Sequence, residues 1–246
     1  MKRIPVLLAA LWLAATVPAP AQPMSAVPAA PKPAAAVHFI GVNALDLRAL
    51  VPEPPAPDSL MQRAELDVVY HLQVERTPAQ VARARSVDAE DLFVFASDVV
   101  GPWFNPANLP KTTAFFALVS DDMNGVSRAA KVLFHRRRPP FLDARIKPCV
   151  EVADSGSYPS GHGVRSALWA GLLSAAFPEH AAGFAARADE TRWCRLLAGV
   201  HNPSDVEAGR VVGEAMVREL LKDPAVQKAL EEIRAEAAPF LHRKAA

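Results

Sequence analysis

The stretch 112–140, TTAFFALVSDDMNGVSRAAKVLFHRRRPP, decides the fold. Phe115, Leu118, Val119, Met123, Val126, Ala130, Leu133 and Phe134 recur at helical spacing. They predict one long helix from 112 to about 137, ended by Pro139–Pro140. The same spacing appears on either side. Leu60, Ala64, Asp67 or Val68, His71 and Leu72 follow Asp58–Ser59, and Val81 faces inward after Thr77–Pro78, a proline suited to a first helical turn. A helix over 86–100 stops at Gly101–Pro102, and 103–110 reads as a loop. Further helices are predicted at 161–177, 181–198, 205–221 and 224–238, the third of these with Ser204 as N-cap of a Ser-x-x-Glu capping box. No alternating strand and no repeat is found. The expected fold is all-α, a single-domain helical bundle over 40–243. Its longest later apolar run, 166–177, suits a buried core helix, because a bilayer span takes roughly 20 residues.

Composition narrows the function classes. The chain has 246 residues, 51% of them hydrophobic, and a formal charge of +1, with no polybasic arm for nucleic acid. Lys2 and Arg3, the apolar stretch 7–17 and Ala19–Pro20–Ala21 read as a cleavable signal peptide over 1–21. A flexible Pro/Ala-rich segment follows over 22–39. A periplasmic protein without stable membrane insertion is expected, and a homo-oligomer is left open. Cys149 and Cys194 fit either one disulfide in an oxidising compartment or two separate thiols. There is no C-x-x-C and no H-E-x-x-H, so neither a metal site nor another cofactor is expected.

Three clusters carry chemistry. Lys131 and Arg138 are seven residues apart, two helical turns to within about 20°, which would place both cations on one face. Such a pair can hold a phosphoryl group, and Arg can bind two oxygens at once. The plainer alternative is a solvated basic helix end, the role expected of Arg136 and Arg137. Gly156-Ser-Tyr-Pro-Ser-Gly-His162 runs straight into an apolar helix whose first amides can cradle an anion. There Ser160 adds a hydroxyl, Gly161 permits close backbone approach, and His162 can reach a leaving-group oxygen. In the third cluster Arg195 supplies another cation. His201 and Asp205 are four apart with Pro203 between them, so Asp205 can fix the tautomer of a nucleophilic imidazole. Trp103, Phe104 and Tyr158 are candidates for the leaving-group wall, with core packing the simpler role.

Together these spacings resemble the signature of the type 2 phosphatidic acid phosphatase superfamily, K-x(6)-R-P, P-S-G-H and S-R-x(5)-H-x(3)-D. They read here as Lys131 to Pro139, Pro159 to His162, and Arg195 to Asp205. Within that superfamily the chain is similar to the bacterial class A non-specific acid phosphatases. The resemblance implies an all-helical fold shared with vanadium-dependent haloperoxidases and hydrolysis of small phosphomonoesters. Lys131, Arg138, Ser160, Gly161 and Arg195 would then bind phosphate, His201 would attack, His162 would serve as general acid and Asp205 would orient His201. Cys194 stands where the motif has serine, and Gly163 where class A enzymes usually carry threonine, which would loosen the helix start or enlarge the pocket. A lipid-phosphate phosphatase, a vanadate-dependent haloperoxidase and a non-catalytic phosphate binder remain the rival readings.

Overall fold

The computed structural model describes residues 36–241. The expected signal peptide, most of the segment 22–39 and the last two residues of the expected domain lie outside the described residues. Among the described residues there are nine α-helices and no strand: α1 (Leu47–Leu50), α2 (Leu60–Glu75), α3 (Pro78–Asp88), α4 (Leu92–Val100), α5 (Pro110–Phe134), α6 (Gly161–Ala176), α7 (Ala181–Leu197), α8 (Pro203–Leu220) and α9 (Pro224–Leu241). None is long and apolar enough to cross a membrane.

Local chemistry sets most helix starts. Ser59 Oγ accepts the Gln62 amide at 3.1 Å to open α2. Thr77 and Gln80 exchange side chain–main chain bonds at 3.3 and 2.8 Å around Pro78 to open α3. The helix expected over 86–100 is two helices. Asp91 Oδ1 accepts the amides of Phe93 and Val94 at 2.7 and 3.2 Å, so the chain restarts there, after Glu90 has turned through a positive φ of 55°.

Two further expectations are corrected. Helix α5 stops at Phe134, and His135 takes a left-handed conformation. Arg138 is extended at φ −76°, ψ 153°, because a residue before proline is kept out of the helical region. Lys131 and Arg138 therefore do not share a helix face. The cap of α8 is Asn202 rather than Ser204: Pro203 takes the first helical position, and the Asn202 amide donates to Asp205 Oδ2 at 2.7 Å.

Helix α6 forms the centre, packed against α7 and α8, with Val164, Leu172 and Leu173 fully buried. Each such side chain contributes roughly 1.5–3 kcal/mol by leaving water. The close α6–α8 approach explains Gly163. A Cβ there would lie 3.0 Å from the Val206 carbonyl oxygen and 3.2 Å from Gly209 Cα. Glycine at this position lets two backbones meet. At the start of the described chain, Asp122 on α5 accepts the amides of His38, Phe39 and Ile40 at 2.9, 2.7 and 3.0 Å. This ties the entering segment to the bundle.

Candidate active site

One cavity of about 390 Å³ gathers Lys131, Arg138, Gly161, His162, Arg195 and His201 from five places along the chain. Lys131 comes from the last turn of α5, Arg138 from the segment after it, and Gly161 and His162 from the first turn of α6. Arg195 comes from the last turn of α7, and His201 from the turn into α8. That turn is made by Gly199, whose φ of +79° brings the chain back sharply after Arg195. The segment before α6 is pinned on both sides. Ser157 N donates to Arg136 O at 2.9 Å, and Ser160 N donates to Asp205 O at 2.8 Å.

Lys131 and Arg138 are held by main-chain carbonyls. Lys131 Nζ donates to Gly156 O at 2.6 Å and Pro159 O at 3.0 Å, leaving one of its three donors for an anion. Arg138 donates to Ser155 O at 2.9 Å and Val200 O at 3.1 Å, and its Nη1 stands 3.2 Å from His201 Nε2. Arginine always donates, so His201 Nε2 carries the lone pair and the ring proton belongs on Nδ1. Nδ1 faces Asp205 Oδ2 at 3.4 Å, a charge contact not aligned as a hydrogen bond. Asp205 in turn accepts from Arg136 Nη1 at 2.6 Å and from the Asn202 amide.

The electrostatics are those of a site short of negative charge. Burial, then the neighbouring Arg138, brings the Lys131 ammonium down to about 7, and burial together with Arg195 brings Arg138 down to about 10. Burial, with Arg138, Lys131 and Arg195, holds His201 well below the ordinary histidine value, so it is neutral. Burial and Arg195 also hold His162 down, the opposite of what a resting imidazolium acid requires. A bound phosphate dianion would offset the cations' part of both shifts, leaving the part due to burial. Burial raises the Asp205 carboxyl, while Arg136 and the Asn202 donors oppose the rise.

Two expected residues stand outside the lining. Ser160 is fully buried at the α6 cap, where its Oγ accepts the Gly163 amide at 3.3 Å, and Asp205 lies behind His201. The aromatics do not form a leaving-group wall. Phe104 is in the core, Trp103 stacks on Phe240 at 5.5 Å, and the Tyr158 hydroxyl donates to Pro52 O at 2.7 Å. Cys149 and Cys194 are free thiols in a small apolar cluster with Ala84, Ala198 and Val200.

Arg136 is the largest correction. It is 6% exposed rather than solvated. It pairs with Glu65 and Asp205, and its Nε and Nη2 donate to Gln62 Oε1 at 3.2 and 2.7 Å. Sequence reasoning also missed the acidic side of the cavity. Asp88 pairs with Arg195, and Glu90 pairs with Arg165 and stands 3.2 Å from His162 Nδ1. The single local signal for these carboxylates was Asp91, a cap that splits α3 from α4.

The pattern of the PAP2 superfamily matches residues 112–227. A non-specific acid phosphatase from Salmonella typhimurium is 33% identical over 194 residues, spanning 76% of this chain and 78% of that one. A non-specific acid phosphatase from Providencia stuartii is 28% identical over 206 residues, spanning 79% and 82%. Among solved structures, a transmembrane PAP2 type phosphatidylglycerolphosphate phosphatase from Bacillus subtilis aligns with a TM-score of 0.47 at 14% identity, covering 75% of this chain and 89% of that one. With three cations and two imidazoles gathered in one cavity, and with 33% identity to the Salmonella typhimurium enzyme over 76% of its length, this chain belongs to the PAP2 superfamily, among the bacterial non-specific acid phosphatases, and is a phosphoric monoester hydrolase.

Proposed function

We propose that the enzyme cleaves small phosphomonoesters through a phosphohistidine on His201, without a metal. The observation that carries this reading is the state of His201: buried, its Nε2 lone pair beside Arg138, its Nδ1 facing Asp205. Lys131, Arg138 and Arg195 neutralise the phosphoryl oxygens, and the Gly161 amide at the start of α6 adds a donor. Phosphoryl transfer asks mainly for positioning and charge neutralisation, which three cations supply. His201 Nε2 forms the N–P bond as the P–O bond to the leaving group breaks, and the His162 proton passes to the departing oxygen. His162 then takes a proton from water as the water oxygen attacks phosphorus. The N–P bond breaks and inorganic phosphate leaves. An alcohol in place of that water gives phosphotransfer, and the cavity is larger than a phosphoryl group alone needs. Export to the periplasm rests on the sequence of residues 1–21.

The test is His201→Ala. Turnover of a chromogenic phosphomonoester and trapping of acid-labile phosphate should both vanish, while the wild-type rate should survive a chelator and fall with vanadate. Full activity of the variant removes the nucleophile assignment. Chelator loss restored by a divalent ion removes the metal-independent plan.

A further inference from the structure

Glu90 sits in the turn between α3 and α4 at φ +55°. That region is unfavourable for an ordinary side chain, and glycine would occupy it without strain. A long acidic residue kept in such a conformation beside a catalytic cavity points to use of its side chain. Glu90 lines the cavity. Its Oε1 stands 3.2 Å from His162 Nδ1 and also pairs with Arg165 Nη1. Arg165 is buried one turn further along α6 and is fixed by Asn124, whose Oδ1 accepts from Arg165 Nη2 at 3.0 Å. The other charged groups facing His162 are Asp88, whose Oδ1 is 3.9 Å from Nε2, and Arg195 and His201. His162 Nε2 is buried and makes no hydrogen bond.

The arrangement repeats the one around His201. There Nδ1 faces the Asp205 carboxylate, and Arg136 backs that carboxylate. At His162, Nδ1 faces the Glu90 carboxylate, and Arg165 backs it. We propose that Glu90 is a positioning residue for His162, keeping the ring proton on Nδ1 so that Nε2 is the atom that exchanges protons. This rests on the reading of His162 as the acid and base. In the first step the imidazolium gives its Nε2 proton to the leaving oxygen as the P–O bond breaks, and the neutral ring keeps its Nδ1 proton toward Glu90. In the second step the bare Nε2 takes the proton of the attacking water. Without Glu90 the carboxylate nearest the ring is Asp88, 3.9 Å from Nε2, which favours the proton on Nε2, the wrong tautomer for the second step. Arg165 takes up the Glu90 charge, so the contribution is orientation.

Glu90→Gly tests this, since glycine suits the backbone at φ +55° and removes the oxygen that faces both Arg165 Nη1 and His162 Nδ1. Hydrolysis of the phosphohistidine needs the bare Nε2, so kcat should fall roughly ten- to a hundredfold, less than the full 10²–10⁴ of a general acid. The phosphohistidine is the same whatever the leaving group, so kcat should fall to the same value for an alkyl phosphate and for nitrophenyl phosphate, and acid-labile phosphate should accumulate on the variant. Glu90→Asp keeps the carboxylate and tolerates the left-handed backbone, so it should retain part of the activity. Nitrogen-15 NMR of the unmodified protein, needing no variant, should show neutral His162 protonated at Nδ1. Protonation at Nε2, an unchanged kcat in Glu90→Gly, or a lower kcat with no accumulated phosphoenzyme overturns the proposal. His162→Ala run alongside separates the two readings. If it leaves the rate intact, the acid–base role of His162 is wrong; if it slows the enzyme while folded Glu90→Gly does not, only the role of Glu90 is wrong.

Discussion

Replacing Arg136 with leucine should do more damage than its place in a run of three arginines suggests. The guanidinium is 6% exposed and stands between two buried carboxylates, Glu65 and Asp205. It also donates to Ser204 Oγ at 2.7 Å and to Gln62 Oε1. Leucine fills part of the space but supplies no donor, so two buried anions lose their counter-charge. Breaking a buried pair by removing one partner costs about 3–5 kcal/mol. For a domain of this size that is a fall in Tm of about 6–20 °C. Catalysis should suffer as well, because the carboxylate that faces His201 loses the donor that holds it. The assay is thermal unfolding by circular dichroism alongside steady-state kinetics, on Arg136→Leu and on the double variant Arg136→Leu/Glu65→Gln. Removing the Glu65 charge from the leucine background should return part of the stability, since one stranded anion is then gone. A single variant that melts like the wild type, with unchanged kcat, would refute the buried network.

The Lys131 ammonium, brought down to about 7 by burial and Arg138, is charged below that pH and neutral above it. Sulfate keeps its charge over this range, so its competitive inhibition constant should weaken as pH rises through about 7, approaching tenfold per unit. Lys131→Met should bind sulfate weakly at every pH with no such step; a pH-independent constant in the wild type would count against the assignment. Gly163→Thr, which restores the residue usual in class A enzymes, should destabilise the fold by about 1–3 kcal/mol, because its Cβ would crowd the α8 backbone. An unchanged melting temperature would show that α6 and α8 can separate at no cost.

Much of the fold could be read locally. Ser59 before α2 and Thr77–Pro78–Gln80 before α3 set their helix starts within a few residues, and capping chemistry acts over one turn. Pro203 also pointed to Asn202 as the cap of α8, since proline favours the first helical position; the Ser-x-x-Glu spacing at Ser204 was the weaker of two competing local signals. The extended backbone of Arg138 could have been drawn from Pro139 alone.

By itself, the sequence determined the inventory: helices from apolar spacing, and the lysine, arginines and histidines of a phosphoryl-transfer site from motif order. Only the tertiary structure decided which charges are free and which are spent. Arg136 and Arg138 are two residues apart, yet one is consumed by Glu65 and Asp205, 71 and 69 residues away along the chain, while the other stands beside His201 in the cavity. Glu90 became a neighbour of His162 only when the α3–α4 turn met the start of α6. The reason is physical. Helix propensity and capping act over a few residues, whereas the burial and counter-ion that fix what a charge does are supplied by whatever distant segment packs against it.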